Sequence, residues 1–368
     1  MEIEVSQEKL ARALNIVSRV AVGAKSTLPI LSNVLIKVDG GKVSFITTNL
    51  DMAVVDYVPV INAKDGTVTV PARLLAEFVQ NLPRGEKIKI EVDGTKVKTS
   101  AGKYSSVING APADDFPELP EIDEKKAVIY RMGVDEFKVG ISEVIIAASG
   151  DTTRPALTGV YFNTADNKLF VAGTDGYRLA EREFISKVQS EVKAIVPTSS
   201  LQEVLRSISD DADEIEILFD EAQVRFRMGE LEITSKLIDG TYPDYRQLIP
   251  KDNEVKALVD RDELNRIVKM AALFARESNR AISCETDADK KAFAVASVSN
   301  EVGENQSVIE ANVNKSGKVK LDSRFLMDAL NVLEEEKVKV EFSSGSTPVL
   351  LTNENDKKYR HIIMPLNV

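Results

Sequence analysis

The stretch Leu28-Pro29-Ile30-Leu31-Ser32-Asn33-Val34 is followed 126 positions later by Arg154-Pro155-Ala156-Leu157-Thr158-Gly159-Val160. The same offset continues without a gap and pairs Lys42 with Lys168, Thr48 with Thr174, Val70-Pro71 with Val196-Pro197, Glu77 with Glu203, and Phe116-Pro117 with Tyr242-Pro243. Between residues 29 and 54 only five of the 26 paired positions are identical, so each pair alone is weak evidence. A constant offset over this length predicts an internal structural repeat.

A third, less faithful copy follows these two. Residues 260–264 correspond to residues 6–10, and a second helix is expected to begin at Asp322. The copy ends with Met364-Pro365-Leu366, as the other two end with Phe116-Pro117 and Tyr242-Pro243. The chain therefore divides into three predicted domains, 1–122, 128–250 and 253–368. The segments between them are polar and charged, as linkers are.

Each repeat has the pattern helix, strands, helix, strands. Apolar residues recur at three- and four-residue spacing, as in Leu10, Ala13, Leu14 and Val17, which is typical of amphipathic helices. Alternating β-branched segments such as 34–38 and 214–218 predict strands. The fold class is α+β: three repeated units, each with two helices packed on antiparallel sheets. Helices are predicted at 6–19, 72–84, 134–148, 198–208, 260–276 and 322–333.

Composition restricts the class of protein. The 368 residues are 43% hydrophobic and carry a net charge of -11, with 19 Gly, 13 Pro and one Cys, which excludes collagen-like, disulfide-stapled and disordered chains. The start lacks a secretory signal, and no apolar run approaches the roughly 18 residues that span a bilayer. We expect a soluble cytoplasmic protein with no membrane contact.

Charge is distributed unevenly. The six predicted helices together have a net charge of +1. Because the net charge of the whole chain is -11, the remaining residues have a net charge of -12. One interpretation is that helix faces often carry Lys and Arg for solvation. A sharper interpretation is that one surface is kept free of negative potential because a polyanion passes it.

Four motifs and the threefold repeat resemble a known family. The motifs are Leu28-Pro29-Ile30-Leu31, Thr174-Asp175-Gly176-Tyr177-Arg178-Leu179, Tyr242-Pro243-Asp244-Tyr245-Arg246 and Ile363-Met364-Pro365-Leu366. Together, over essentially the whole chain, they resemble the bacterial β sliding clamp, the processivity subunit of the replicative DNA polymerase III. The resemblance implies a head-to-tail homodimeric ring that encircles duplex DNA without sequence preference and tethers replicative and repair polymerases. It also implies a separate clamp loader, no cofactor, no metal and no enzymatic activity.

The repeat makes physical sense of such a ring. Three near-equivalent units in each of two chains give twelve helices, and spacing them at roughly 10 Å gives an inner circumference of about 120 Å. Subtracting one helix diameter leaves an opening of about 28 Å, wide enough for a DNA duplex and water. A closed ring cannot leave the duplex by simple dissociation, so its contacts to phosphates can stay weak and mobile.

Three sets of site residues follow from the resemblance. The first set would face DNA, and its members that match the family are Lys25, Arg73 and Arg206. Four further candidates are included only because of their position in a predicted helix or loop: Arg12, Arg266, Arg276 and Arg280. For each, a solvated surface residue is the alternative. The second set would line a hydrophobic cleft for short linear peptides of partner proteins: Leu157, Thr174, Gly176, Tyr177, Arg178, Leu179, Pro243, Arg246, Leu248, Met364, Pro365 and Leu366. Leu157 and Leu179 could instead be ordinary core.

The third set would form the ring interface, with Val107 and Ile108 of one chain against Leu273 and Phe274 of the other. Because Leu273 and Phe274 are adjacent near a helix end, at least one must point away from its own core. A core role for Phe274 is the alternative. The chain ends Asn367-Val368 without the basic residue that many family members carry there.

An enzyme finds little support in the sequence. His361, the only histidine, is expected to be an ordinary surface or edge residue, and Cys284 has no basic partner nearby in sequence. Asp175 precedes a glycine, which primarily indicates a turn. The alternative functions are an acid-dependent hydrolase and a self-assembling scaffold that does not bind nucleic acid.

Overall fold

The computed structural model describes residues 1–23, 28–276, 279–343 and 345–366. Six α-helices lie within these residues, each at a predicted position, and the α+β class is confirmed. They are α1 Gln7–Gly23, α2 Ala72–Gln80, α3 Val134–Ile145, α4 Thr198–Ser207, α5 Arg261–Phe274 and α6 Ser323–Val332. Helix α2 ends four residues earlier than predicted, because the residue before Pro83 disfavours helical geometry.

Antiparallel strands make up most of each repeat. The first repeat contains β1 Glu2–Ser6, β2 Asn33–Asp39, β3 Lys42–Thr48, β4 Met52–Val58, β5 Asn62–Lys64, β6 Gly66–Pro71, β7 Lys87–Asp93, β8 Lys96–Ala101 and β9 Tyr104–Asn109. The second contains β10 Val128–Gly133, β11 Gly159–Ala165, β12 Lys168–Thr174, β13 Arg178–Ile185, β14 Lys193–Pro197, β15 Glu214–Phe219, β16 Gln223–Met228 and β17 Leu231–Lys236. The third contains β18 Val255–Asp260, β19 Ala281–Asp287, β20 Ala292–Ser299, β21 Gly303–Val313, β22 Gly317–Asp322, β23 Lys337–Phe342, β24 Val349–Asn353 and β25 Tyr359–Ile363.

The chain forms two compact units that cut across the three sequence repeats. Unit 1 comprises Met1–Val134 and Ser199–Leu237, and unit 2 comprises Asp135–Thr198 and Ile238–Val368. The middle repeat is therefore shared between the two units.

Unit 1 holds two antiparallel sheets. One has the strand order β5-β1-β7-β8-β9, and the other has the order β10-β15-β16-β17-β4-β3-β2-β6. In the larger sheet, residues 231–235 of β17 pair with residues 52–56 of β4. This pairing joins the middle repeat to the first as one continuous sheet.

Unit 2 is built in the same way around one larger sheet. Its twelve strands have the order β14-β11-β12-β13-β25-β24-β23-β18-β21-β20-β19-β22. Residues 359–363 of β25 pair with residues 178–182 of β13, which joins the third repeat to the middle one. The β13–β25 pair of unit 2 corresponds to the β4–β17 pair of unit 1, because residues 178–182 occupy the same positions in the sequence repeat as residues 52–56.

The helices bury one apolar face each, as their spacing predicts. Leu264, Ile267, Val268 and Ala271 of α5 are at most 5% exposed. The expected helix cap at Asp260 is present, since its carboxylate accepts a hydrogen bond from the Glu263 amide at 2.8 Å. A buried face of this kind fixes each helix on its sheet and leaves the opposite face to solvent.

The expectation that His361 is a surface or edge residue is wrong. His361 is fully buried in β25, which is paired on both sides, with β13 and with β24. Its Nδ1 lies 2.8 Å from the oxygen of the Tyr359 hydroxyl, and that hydroxyl donates its hydrogen to the Glu143 carbonyl at 3.1 Å. Burial, with a smaller contribution from Arg178, lowers the pKa of His361 to about 3, so the ring is neutral at physiological pH. The alternating strand pattern gave no sign that both neighbouring strands would be present.

Candidate functional site

A tight turn between β12 and β13 contains several residues of the predicted cleft set. The Thr174 hydroxyl donates to the Arg178 carbonyl at 2.6 Å, and the Asp175 carboxylate accepts from the amides of Tyr177 and Arg178 at 2.9 and 3.0 Å. Gly176 has φ of 92°, a conformation that glycine adopts without steric cost. Asp175 is thus occupied by the turn and by the Arg178 side chain, which lies 3.1 Å from it.

The segment that follows β25 lies beside this turn. The Met364 amide donates to the Tyr177 carbonyl at 2.8 Å, and the Leu366 amide donates to the Lys320 carbonyl at 2.9 Å. An apolar segment close to a chain end would fray without such bonds. They hold Met364, Pro365 and Leu366 half-buried beside the turn. Residues 367 and 368 lie outside the described residues.

A buried apolar cluster lies beneath these segments. Leu157 and Leu179 are 8% and 2% exposed, so the core interpretation applies to both side chains. Their cluster also contains Ala172, Ile195, Tyr242, Tyr245, Leu350 and Ile362. Sequence reasoning missed Leu350 and Ile362, which lie directly opposite each other in the β24–β25 pair. Both residues stand in short apolar runs of the sequence, 349–351 and 362–366, but the pairing of β25 with β13 was not visible there.

The accessible apolar surface of the site comes from other members of the predicted set. Tyr177 is 64% exposed and Leu248 is 48% exposed, and Gly176 and Pro243 are also exposed. Large apolar groups left in water beside a buried apolar cluster are typical of a docking surface for another chain. Most of the predicted cleft residues therefore lie together in unit 2, some as its buried floor and some at its surface.

Arg246 lies on an aromatic face at this site. Its guanidinium carbon is 4.1 Å from the centroid of the Phe170 ring, and its Nε is 3.3 Å from the Glu181 carboxylate. Glu181 is 3% exposed and also accepts a hydrogen bond from the Tyr245 hydroxyl at 2.7 Å. Burial and the charge of Glu181 raise the pKa of Tyr245 far above its ordinary value, so the phenol remains a donor. This group fixes the orientation of the Arg246 side chain.

The predicted DNA-facing residues differ in their freedom. Arg206 and Arg276 are exposed and form no ion pair within the described residues. Arg73 is paired with Glu77 at 2.7 Å, and Arg280 is 3.3 Å from Asp322. Lys25 lies outside the described residues. Of the further candidates, Arg12 is 3.6 Å from Asp211, and Arg266 is exposed.

The predicted interface residues divide into accessible and buried members. Val107 and Leu273 are each 58% exposed, whereas Ile108 is 4% exposed inside its own unit and Phe274 is partly buried. Val107 belongs to β9, the end strand of the five-stranded sheet. In unit 2, β21 pairs with β18 only at residues 311–313, so its first part has one unpaired edge in the described structure.

Catalytic and membrane features are sparse in the described residues. Cys284 is buried, and burial raises the pKa of its thiol to about 12, so it is a poor nucleophile. Within the described ranges, no three His, Cys, Asp or Glu side chains are grouped closely enough to hold a metal ion. None of the helices in the described part combines the length and apolar character that a bilayer crossing requires.

Comparison with known proteins gives matches along the whole chain. Three family models match in order: the N-terminal domain of the DNA polymerase III beta subunit at residues 1–120, its central domain at 131–244 and its C-terminal domain at 246–367. A beta sliding clamp from Synechococcus elongatus is 29% identical over 378 residues and covers 100% of both chains.

Solved structures agree with these matches. The DNA polymerase sliding clamp of Bacillus subtilis has a TM-score of 0.93 at 28% identity and covers 100% of this chain and 99% of its own. The sliding clamp of Bartonella birtlesii, solved bound to griselimycin, has a TM-score of 0.92 at 29% identity with 100% of both chains covered. This chain belongs to the family of DNA polymerase III beta subunits, the bacterial β sliding clamps.

Proposed function

We propose that this protein is a DNA sliding clamp. Two copies join head to tail into a ring around duplex DNA and tether the replicative polymerase and other replication and repair proteins. Family membership over the whole length is the observation that carries the proposal. The protein acts by topology and does no chemistry of its own, and a separate clamp loader opens it. The cytoplasm follows as its compartment, because the chromosomal DNA that it encircles lies there. The domain boundaries 1–122, 128–250 and 253–368 remain part of this proposal.

The proposed contact with DNA is electrostatic and weak. Arg206 and Arg276 are free to reach phosphates, whereas Arg73 and Arg280 must share their charge with Glu77 and Asp322. Lys25 completes the proposed set. Few phosphate contacts mean a shallow salt dependence and easy sliding, since each neutralised phosphate adds to the salt slope. Retention then depends on the closed ring and hardly on affinity.

The proposed ring closes through sheet edges. Within the described residues, strand β9 and the part of β21 before residue 311 each have one edge that pairs with no other strand. Such an edge is stable when a strand of another copy covers it. The β8–β9 hairpin carries Lys96, Lys98 and Lys103 without an acidic residue, whereas residues 303–310 carry Glu304 and Glu310. Opposite charges therefore face each other when the two edges meet. Val107 and Leu273 would be covered beside them, and Ile108 would support Val107 from within its sheet.

The proposed cleft receives the linear peptides of partner proteins. Exposed Tyr177, Pro243 and Leu248 and the half-buried segment 364–366 supply apolar contacts above the buried cluster. Met364 adds an adaptable thioether, which suits a site that takes several partners. Gly176 leaves room for a peptide backbone, because a Cβ there would meet only the Arg154 guanidinium, at 3.6 Å.

Retention on circular DNA tests the proposed function. The full-length protein is loaded on nicked circular DNA with its clamp loader and washed with high salt, and the DNA is then linearised. We expect retention on the circle and release from the linear form, because only a threaded ring distinguishes the two. A Leu273→Glu variant, which places an unpaired charge in the proposed interface, should not be retained. A hydrolase or a scaffold without nucleic acid would show no dependence on linearisation, and that result would contradict the proposal.

A further inference from the structure

Arg178 belongs to the predicted cleft, yet its side chain is only 9% exposed. Its Nε lies 3.1 Å from an Asp175 oxygen, and its Nη1 lies 2.6 Å from an Asp328 oxygen. The guanidinium carbon is 4.6 Å from the centroid of the Phe325 ring, a distance typical of a cation–π contact. With two carboxylates and an aromatic face as neighbours, this side chain has little left to offer a peptide.

The contacts of Arg178 connect two sequence repeats. The turn 174–178 comes from the middle repeat, while Asp328 and Phe325 lie on α6 of the third repeat. The same turn accepts the Met364 amide through the Tyr177 carbonyl. The ion pair between Arg178 and Asp328 therefore connects α6 to the turn 174–178. The segment 364–366 is hydrogen-bonded to the same turn.

The corresponding carboxylate in unit 1 has a different partner. Helices α4 and α6 both have ten residues, and the sixth residue is Glu203 in α4 and Asp328 in α6. Glu203 lies 2.7 Å from the Nε of Arg19, on helix α1. At the position of Arg178, unit 1 has Met52, which carries no charge. The carboxylate at this helical position thus forms an ion pair with a neighbouring helix in unit 1 and with a turn in unit 2.

We propose that Arg178 is a positioning residue of the peptide cleft and that Asp328 is its anchor. The inference rests on the proposed function, because it assigns a role within that cleft. The pair holds the turn 174–178 in the position that aligns the segment 364–366. The turn and the segment 364–366 are then already ordered when a peptide binds, so the binding free energy is not reduced by the cost of ordering them.

Peptide titration of matched variants tests the proposal. The probe is a fluorescein-labelled peptide that carries the clamp-binding segment of the replicative polymerase from the same organism, and its anisotropy is followed with the full-length protein. We expect Asp328→Asn to weaken binding about tenfold, because a charge-assisted hydrogen bond is lost. Asp328→Glu keeps the carboxylate and should stay within about threefold of the wild type. The matched control Glu203→Gln, at the same helical position in unit 1, should leave peptide affinity unchanged.

A second variant separates positioning from direct contact. Arg178→Met copies the residue of unit 1 and should weaken binding as much as Asp328→Asn, while the double variant should lose no more than either single one. Loss of affinity in Arg178→Met with full affinity in Asp328→Asn would overturn the proposal and assign Arg178 to the peptide itself. A lower melting temperature of Asp328→Asn with unchanged affinity would also overturn it. If the wild type fails to bind the peptide, the proposed cleft itself is wrong and the inference falls with it.

Discussion

The turns at residues 48–52 in unit 1 and 174–178 in unit 2 have the same hydrogen bonds. The Thr48 hydroxyl donates to the Met52 carbonyl at 2.9 Å, and its counterpart Thr174 donates to the Arg178 carbonyl at 2.6 Å. In both turns the side chain of the second residue accepts from the amide of the fifth, at 2.8 and 3.0 Å. The side chain of the second residue is an Asn in one turn and an Asp in the other, and either supplies the acceptor oxygen.

The strand beside each turn repeats the likeness. The Lys236 amide donates to the Asp51 carbonyl at 2.9 Å, as the Met364 amide donates to the Tyr177 carbonyl at 2.8 Å. Both bonds extend a strand pair that joins two sequence repeats. The backbone arrangement of the proposed cleft is therefore a property of the repeat and is present twice.

The side chains make the difference between the two turns. Unit 1 has Leu50 with φ of 76° where unit 2 has Gly176, and Asp51 where unit 2 has the 64% exposed Tyr177. The strand of unit 1 ends on Lys236 and is followed by Leu237, whereas the strand of unit 2 is followed by Met364-Pro365-Leu366. Both units therefore have the same turn, and only the apolar segment beside it in unit 2 makes that turn part of a candidate binding surface.

Deleting residues 364–368 should have the largest effect on the proposed binding surface of unit 2. We expect complete loss of peptide binding, because the variant keeps the turn but loses the apolar segment that distinguishes it from the turn of unit 1. The dimer should remain, since this segment lies outside the proposed interface. Anisotropy with the labelled polymerase peptide and light scattering measure the two properties. Retained peptide affinity would mean that the binding surface lies elsewhere.

His361 in unit 2 should make the stability of the protein depend on pH, whereas the residue at the equivalent strand position in unit 1 cannot titrate. His361 lies opposite Ala180 in unit 2, and in unit 1 the corresponding pair is Ile233 with Val54. Burial lowers the pKa of His361 to about 3, while the unfolded chain has the ordinary value near 6.5, so the unfolded state binds the extra proton between these values. Stability from this group is therefore complete above pH 6.5 and is lost as the pH falls toward 3.

The variant His361→Ile copies unit 1 and should remove this loss. Between pH 6 and 4, its free energy of unfolding should fall less steeply than that of the wild type, by about 1.4 kcal/mol per pH unit. Urea unfolding at several pH values measures the difference in slope, and a constant offset from the lost Tyr359 contact does not affect it. Parallel pH profiles of the two proteins would show that His361 takes up its proton in the folded state.

The smallest expected effect concerns the strained residue of the unit 1 turn. Leu50 is 44% exposed, so Leu50→Gly loses little apolar burial and relieves a backbone conformation that costs a leucine about 1 kcal/mol. The greater freedom of glycine in the unfolded chain offsets part of the gain, and we expect unit 1 to gain less than about 1 kcal/mol. Denaturant unfolding measures it. The reverse change, Gly176→Leu, should destabilise the protein, and a clear loss of stability in Leu50→Gly would show that the leucine side chain holds its turn.

Much of the fold could be predicted from local patterns. Helix faces such as Leu264, Ile267, Val268 and Ala271 repeat at helical spacing, and the constant offset of 126 positions identified equivalent segments without any knowledge of their contacts. These features are local or periodic, and periodicity is what a sequence records directly. The residue types of the proposed cleft were accessible through family resemblance for the same reason, because they lie in short motifs.

The tertiary structure decided which of those residues are free. His361 and Ile108 lie in ordinary strand patterns, and only the neighbouring strands and packed faces make them buried. Arg178 and Arg246 look alike in sequence, yet one is fastened to Asp328, 150 positions away, and the other is stacked on Phe170. Long-range pairing brings these groups together, and no local pattern encodes the partner of a side chain.

The three repeats, the positions of the helices and the family could all be recognised from the amino-acid sequence. The division of the middle repeat between two compact units, and the continuous sheet that joins neighbouring repeats in each unit, became visible only in the folded chain. The physical reason is that a strand edge can pair with any suitable strand of either neighbour. Sequence spacing fixes the strands, but the burial of apolar surface on both sides of a junction selects the partner.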